Sequence, residues 1–324
     1  MSCVKLSGKL TEYFEIKNGV RQGDALACLL FNLSLEWAIR DSGINTRGTI
    51  FTKTVQILAY AGDIVIISRT NKALCETFIA LTYSAAKIHL NINEEKTKYM
   101  PVTKALTNIK YLEVENYKFE VVDNFTYLGS NVNAQNNLDS EIRRRITAAN
   151  CCLNGLKTFM RSKLIKRKTK LTLYKSIIRP VATYVSETWT LTKSQTNQLS
   201  IFERKVLRKI YGAVNIDGLW RHRYNNELYK LYKEIDIVKF LKIQRMKFAG
   251  HICRMQPSSL TYRIFNFKVL GNRARGRPKL RWSDCITNDF QILKIKNWQT
   301  IAKRRVEWKR VLGKALAHTG LSCQ

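Results

Sequence analysis

Two short apolar, β-branched runs, Thr54–Tyr60 and Ile64–Ser68, are separated only by Ala61-Gly62-Asp63. A linker this short forces the runs to pair antiparallel as a hairpin, closed by a type I′-like turn at Gly62 and Asp63. The hairpin needs cover. The segment Ala25–Arg40 is apolar on most of its surface, which predicts a helix buried against a sheet. Asp24 can cap it at Ala25, and Ser42-Gly43 ends it. A second helix is expected from Lys72 to about His89, and short strands at Thr11–Ile16, Thr97–Met100, Tyr117–Val122 and Phe125–Leu128. Asn18-Gly19 marks a bend.

The pattern changes after Gly129-Ser130 and the Asn-rich stretch to Asn137. Ile142, Ile146, Ala149, Leu153 and Leu156 recur at helical spacing beside Arg143, Arg144 and Arg145, which predicts an amphipathic helix with a basic face. Further helices are expected at Leu171–Ile178 (ended by Pro180), around Leu199–Ile210 (closed by Gly212), at Asp236–Cys253 and at Trp298–Leu316. The Gly- and Pro-containing stretch Gly271–Trp282 reads as a loop. This divides the chain into residues 1–135, 136–212 and 213–324.

Charge follows the same division. Residues 1–135 carry 15 basic and 13 acidic side chains, while residues 136–324 carry 41 and 11. Almost all of the net +32 therefore lies in the helical part, and a polyanionic partner, nucleic acid before anionic membrane, is the expectation. The eight cysteines contain no CxxC pair, and His251, Cys253 and Cys285 make only a remote metal set, so a reduced, intracellular protein fits. The longest apolar run, Ala25–Phe31, is too short to span a bilayer, and nothing resembles a secretory signal. Basic runs such as Lys166–Lys170 could serve nuclear import or bind nucleic acid.

Four segments, in order, carry a family resemblance. Asn18–Asn32, with Gln22-Gly23 at its centre, resembles motif B of the reverse transcriptases of non-LTR (LINE-type) retrotransposons. Ile57–Ile66 resembles motif C, normally Tyr-Ala-Asp-Asp; Leu90–Lys98 resembles motif D; and Phe125–Ser130 resembles motif E. The basic remainder resembles the thumb and C-terminal tail of these proteins, with Gly250-His251 and Gly276–Trp282 as landmarks.

The resemblance implies an α+β fold: a partial polymerase palm of antiparallel sheet with packed helices, then a basic, mostly helical thumb and C-terminal region. It implies an RNA-directed DNA polymerase using Mg2+ or Mn2+ held by carboxylates as a two-metal clamp. Here the motif C hairpin reads Tyr60-Ala61-Gly62-Asp63, so Gly62 replaces the first Asp and Asp63 remains as a catalytic and metal-binding remnant. Nothing in the first eighteen residues resembles motif A, which supplies the third carboxylate. The expectation is a C-terminal, degenerate, catalytically inactive fragment with weak metal binding. Loss of the motif A strand would also leave an exposed sheet edge and an aggregation-prone monomer.

Gln22-Gly23 match a position that touches incoming nucleotide and template, and Arg21 could reach phosphate. Tyr60 could line the nucleotide or primer end or merely pack. Lys96 in the motif D position could neutralise phosphate charge or donate a proton, although a Lys in Glu-Glu-Lys also reads as a solvated charge. Phe125, Tyr127 and Leu128 read equally as primer grip or core. Independently of the family, Lys163, Lys166, Arg167, Lys168 and Lys170, with Lys157 and Arg161 before them, can track a phosphate backbone. Arg275-Gly-Arg277-Pro-Lys279 matches an AT-hook core that enters a narrow minor groove. RNA template, RNA/DNA duplex and DNA are the expected partners. The alternatives are a purely non-catalytic basic DNA/RNA-binding protein, and a polymerase completed by an upstream or partner acidic residue.

Overall fold

A computed structural model describes residues 3–15, 24, 26–44, 55–102, 109–268 and 280–322, which form two compact units dividing at Val122/Asp123. The fold is α+β, with small sheets in the first unit and mainly helices in the second.

The first unit, the sheet unit, opens with a hairpin of β1 (Lys5–Leu6) and β2 (Lys9–Leu10). Its turn residues Ser7 and Gly8 both take positive φ, so the chain reverses before Thr11. The strand expected at Thr11–Ile16 is therefore absent from its described residues, apart from a bridge at Phe14. Helix α1 (Ala27–Asp41) starts two residues later than expected, after the Asp24 carboxylate accepts from the Leu26 N–H at 3.0 Å.

Strands β3 (Val55–Tyr60) and β4 (Asp63–Ser68) pair antiparallel from Val55↔Ser68 to Tyr60↔Asp63. Helix α2 (Asn71–Ala86) begins at Thr70, whose hydroxyl accepts from the Ala73 N–H, and packs on β3, β4 and α1. Then come β5 (Lys98–Tyr99), β6 (Tyr111–Val114) and β7 (Tyr117–Val121), in sheet order β5-β7-β6 with β5 parallel to β7. Phe78 of α2 meets Tyr117 and Phe119 edge-on at 5.3 and 5.0 Å, which clamps this sheet to the helix.

One expectation fails here. Helix α1 is not buried: Leu26, Leu29, Leu30, Leu33 and Trp37 are all exposed. A helix that is apolar all round needs cover on two sides, and the described residues supply α2 on one. Likewise β3 and β4 pair only with each other among the described residues.

The second, helical unit opens with β8 (Asn124–Tyr127) and β9 (Ser130–Asn133), another hairpin. It continues with α3 (Asp139–Gly155), α4 (Lys157–Arg161) and α5 (Arg167–Leu173). Pro180 does not end the next helix as expected. A π turn over Tyr174–Ile178, in which the Arg179 N–H reaches back to the Tyr174 carbonyl, carries the chain into α6 (Arg179–Ala182), with Pro180 in its first turn. The wider π turn accommodates a residue that has no N–H to give.

Helix α7 (Lys193–Tyr211) has a Thr192/Gln195 capping box and ends at Gly212 with φ 73°. Strands β10 (Val214–Ile216) and β11 (Leu219–Arg221) form a hairpin that interrupts the expected helical region. Then follow α8 (Asn225–Tyr232), α9 (Ile237–Cys253), α10 (Leu260–Asn266), α11 (Trp282–Ile292), α12 (Trp298–Lys303) and α13 (Arg305–Ala317). The single helix expected at Trp298–Leu316 is thus split at the extended Arg304.

Two apolar cores hold this unit. One gathers α3, α7 and the first half of α9 around Tyr174, Trp189 and Phe202. The other gathers Phe290, Trp298 and Trp308 under the second half of α9. Gly250 lets α9 meet Trp308: a Cβ there would lie 2.1 Å from the indole Nε1. A buried ion pair ties the cores together, with Arg245 donating to Asp289 at 2.5 and 3.0 Å and to the Trp189 carbonyl at 3.2 Å.

Candidate nucleic-acid interface

Asp63 lies exposed at the tip of the β3–β4 hairpin, paired in register with Tyr60, which is 68% exposed. The turn is not the expected I′ type. That type needs positive φ at both central residues, and here only Ala61 has it, at 48°. Gly62 has no left-handed φ to defend, and a Cβ built on it would meet only the Phe31 ring, at 3.8 Å. A carboxylate side chain at position 62 would therefore fit without backbone strain.

Lys96 is exposed in the turn after α2, where its N–H donates to the Asn93 side chain at 3.0 Å. Arg21, Gln22 and Gly23 lie outside the described residues, as do Arg275, Arg277 and Lys279.

The β8–β9 hairpin is mounted on α3 through one carboxylate. Glu141 is fully buried and accepts from the Asn131 N–H at 2.8 Å, from Arg145 at 2.7 Å and from Arg144 at 3.0 Å. Burial alone would raise its pKa, but the Asn131 N–H and the two guanidiniums together hold it below the usual carboxylate range. Both guanidiniums also donate to the Gly129 carbonyl at the hairpin turn. Arg145 stacks on Tyr184 at 4.4 Å, and the Tyr184 hydroxyl donates to the Leu128 carbonyl at 3.1 Å. Two of the three arginines read as a basic face are thus spent inside the unit, and only Arg143 is exposed.

The Lys157–Lys170 run also divides. Lys157 and Arg161 are exposed on α4, Lys163 and Lys166 on the loop after it, and Arg167 and Lys168 on the first turn of α5. Lys170 is only 8% exposed. It sits on the inner side of α5, which packs on α7, and offers little to a backbone.

Residues 1–132 match the family model described as reverse transcriptase (RNA-dependent DNA polymerase). A transposon-derived protein of Caenorhabditis elegans is 30% identical over 267 residues, which cover 79% of this chain and 94% of that one. This chain belongs to the retrotransposon reverse transcriptases. The alignment with the nematode protein is longer than the family match, so the similarity runs on into the helical unit.

Members of the reverse transcriptase family generally use divalent metal ions. The donor set at this hairpin does not fit a metal pair. Asp63 is the lone carboxylate at the tip, and no group of three His, Cys, Asp or Glu side chains that could hold a metal occurs among the described residues.

A further basic site in this reverse transcriptase-family chain escaped the sequence reading. Lys205, Arg208 and Lys209 of α7, with Gly212, Ala213 and His222 from the two ends of the β10–β11 hairpin, line an open groove of about 370 Å³. Desolvation by burial, then the fields of Lys205, Arg161 and Lys157, hold the Lys209 ammonium below the usual lysine range. Lys205, Arg208 and Lys209 recur at three- and four-residue helical spacing among apolar residues and look like an ordinary solvated face. The signal that could have found the groove is Asp217-Gly218 between two β-type runs, a strong hairpin marker.

Proposed function

We propose that this retroelement chain binds nucleic acid through the basic surface of its helical unit and does not extend primers through its palm-like hairpin. The observation that carries the reading is Gly62 beside Asp63 at the hairpin tip, a single carboxylate where paired metal ions need several. The field supports it: the net charge of +30 after residue 135 faces solvent through side chains such as Lys163, Lys166, Arg167 and Lys168. Those contacts would read phosphate rather than sequence, so RNA/DNA duplex and DNA are equivalent partners and binding is steeply salt-dependent. The Arg275–Lys279 loop would add a minor-groove contact.

The test is primer extension on a poly-RNA template with Mg2+ or Mn2+, beside Gly62→Asp. Extension by the unmodified chain would overturn the catalytic half of the reading. Silence in both would mean that restoring this one carboxylate is not enough. Duplex affinity measured against salt tests the other half, and no affinity even at low salt would overturn it.

A further inference from the structure

We propose that the groove between α7 and the β10–β11 hairpin is a single-strand site, seating a phosphate among Lys205, Lys209 and His222 and stacking an unpaired base on Trp220. The proposal rests on the nucleic-acid reading above and gives it a place and a strand type.

Four cations converge from two helices. Lys205 and Lys209 stand four apart on α7, and Lys157 and Arg161 stand four apart on α4, which packs against it. Among the described residues none of the four makes an ion pair, and Lys205 has only the Asn150 amide, at 2.6 Å. Such a concentration of like charge is unfavourable without a counter-ion. Desolvation by burial is the larger cause of the lowered Lys209 ammonium, and the fields of Lys205, Arg161 and Lys157 add to it.

The acidic side chains of the adjoining hairpin and α8 do not supply that counter-ion. Glu227 is gripped by Arg221 at 2.6 and 3.0 Å, and Asp217 sits at the far turn. Arg208 borders the groove but holds Asn225 at 2.8 Å.

The hairpin adds the second requirement for a single strand, an uncovered ring. Trp220 is 72% exposed and has only Asn215 across the ladder. Arg221 turns to Glu227 and to the Tyr224 ring, at 4.3 Å, so strand alternation sends Trp220 to the opposite face. His222 lines the groove two residues further on, about 7 Å of extended chain. A cationic track beside an exposed aromatic ring is how sequence-tolerant single-strand sites are built. A duplex keeps its bases stacked on one another and cannot use the ring.

The experiment is fluorescence anisotropy with labelled oligouridylate and oligothymidylate of about 15 nucleotides, against an RNA/DNA duplex of the same length. The full chain is compared with Trp220→Ala, with Lys205→Gln/Lys209→Gln, and with Lys296→Gln/Lys309→Gln as an equal charge change elsewhere. Trp220→Ala should weaken single-strand binding about ten-fold and leave the duplex unchanged. Lys205→Gln/Lys209→Gln should lower the single-strand salt slope by roughly 1.4 beyond the control pair.

Equal losses on single strand and duplex, or single-strand affinities within about two-fold of the control, would overturn the site while leaving nucleic-acid binding intact. A full chain that binds neither probe would overturn both readings. Trp220→Ala removes an exposed ring, and the circular dichroism spectrum of each variant shows that a loss is not unfolding.

Discussion

The sheet unit and the helical unit hide apolar surface to very different extents. In the first, the residues buried on α1 are Ala27, Leu35 and Ala38, while Leu26, Leu30, Leu33 and Trp37, one stripe at helical spacing, face outward. In the second, Trp189, Tyr174 and Phe290 are almost completely buried, in two cores joined by the Arg245–Asp289 pair. Charge runs the other way, with +2 up to residue 135 and +30 after it. The unit that carries the family's motif C hairpin is the less finished one, and the unit that carries the field is the better packed. A polymerase needs the first to be rigid, whereas phosphate binding needs only the second.

The largest expected effect is at the centre of the helical unit. Gly250→Ala puts a methyl 2.1 Å from Trp308 Nε1 and 2.5 Å from its Cε2, on a ring enclosed by Phe290 and Trp298. The ring cannot retreat, so the substitution should cost about 3 kcal/mol, at the upper end for overpacking. Denaturant unfolding followed by tryptophan fluorescence measures it, since five of the six Trp residues lie in this unit. The matched control is Gly62→Ala, whose methyl meets only the Phe31 ring at 3.8 Å and should change stability by under about 0.5 kcal/mol. Similar losses from both would erase the contrast between the units.

Glu141→Ala comes next. It leaves the Asn131 N–H, Arg144 and Arg145 without their shared acceptor, a change that typically costs about 3 kcal/mol at a buried pair. Because Arg144 is partly exposed, the loss should fall below that figure. Hydrogen exchange should show the β8–β9 amides losing protection before those of α7.

A smaller effect concerns pH. Glu203 is buried in mid-α7 and accepts from Tyr174 at 2.8 Å, from the Ile237 N–H at 3.0 Å and from Tyr229 at 3.3 Å. Burial pushes its carboxyl up to about 7, and Asp236 adds to the rise. Tyr232 and Arg179 complete its surroundings. The folded state therefore holds this proton more tightly than the unfolded chain does. Its stabilising contribution is complete below the ordinary glutamate value near 4.5 and is lost as pH rises to about 7. Stability should fall across that window with a slope of at most about 1.4 kcal/mol per pH unit. Glu203→Gln should flatten the slope, and an unchanged slope would refute the assignment.

Glu203 also marks where sequence reading stops. The β3–β4 hairpin was legible because alternation and a three-residue linker admit one geometry. Helices α3, α7 and α9 were legible from their periodicity, with Gly212 and Asp236 at their ends. A charged residue on a helix reads as solvated, so neither buried Glu203 nor inward Lys170 could be told from exposed neighbours. Arg144 and Arg145 read as a free basic face because their partner at Gly129 is a backbone carbonyl, which leaves no trace in side-chain pattern. Pro180 read as a stop because a π turn has no sequence signature of its own. At the candidate site, the exposed lysines and Arg167 were found from charge density. The α7 groove was not, because it exists only once the β10–β11 hairpin that follows α7 folds back beside it.

The smallest expected effect on unfolding tests the other side of the comparison. Leu30 and Leu33 of α1 are 51% and 59% exposed and lie on the outward stripe. Replacing both with Lys removes no buried contact from the sheet unit and should shift its unfolding by under about 0.5 kcal/mol. The same pair should change self-association strongly, because an exposed apolar stripe of this kind favours aggregation. Light scattering against concentration should therefore separate the variant from the parent, while Trp37 fluorescence records the same denaturation midpoint for both. A large drop in midpoint would mean that α1 is already covered in solution, and the sheet unit would then be as finished as the helical one.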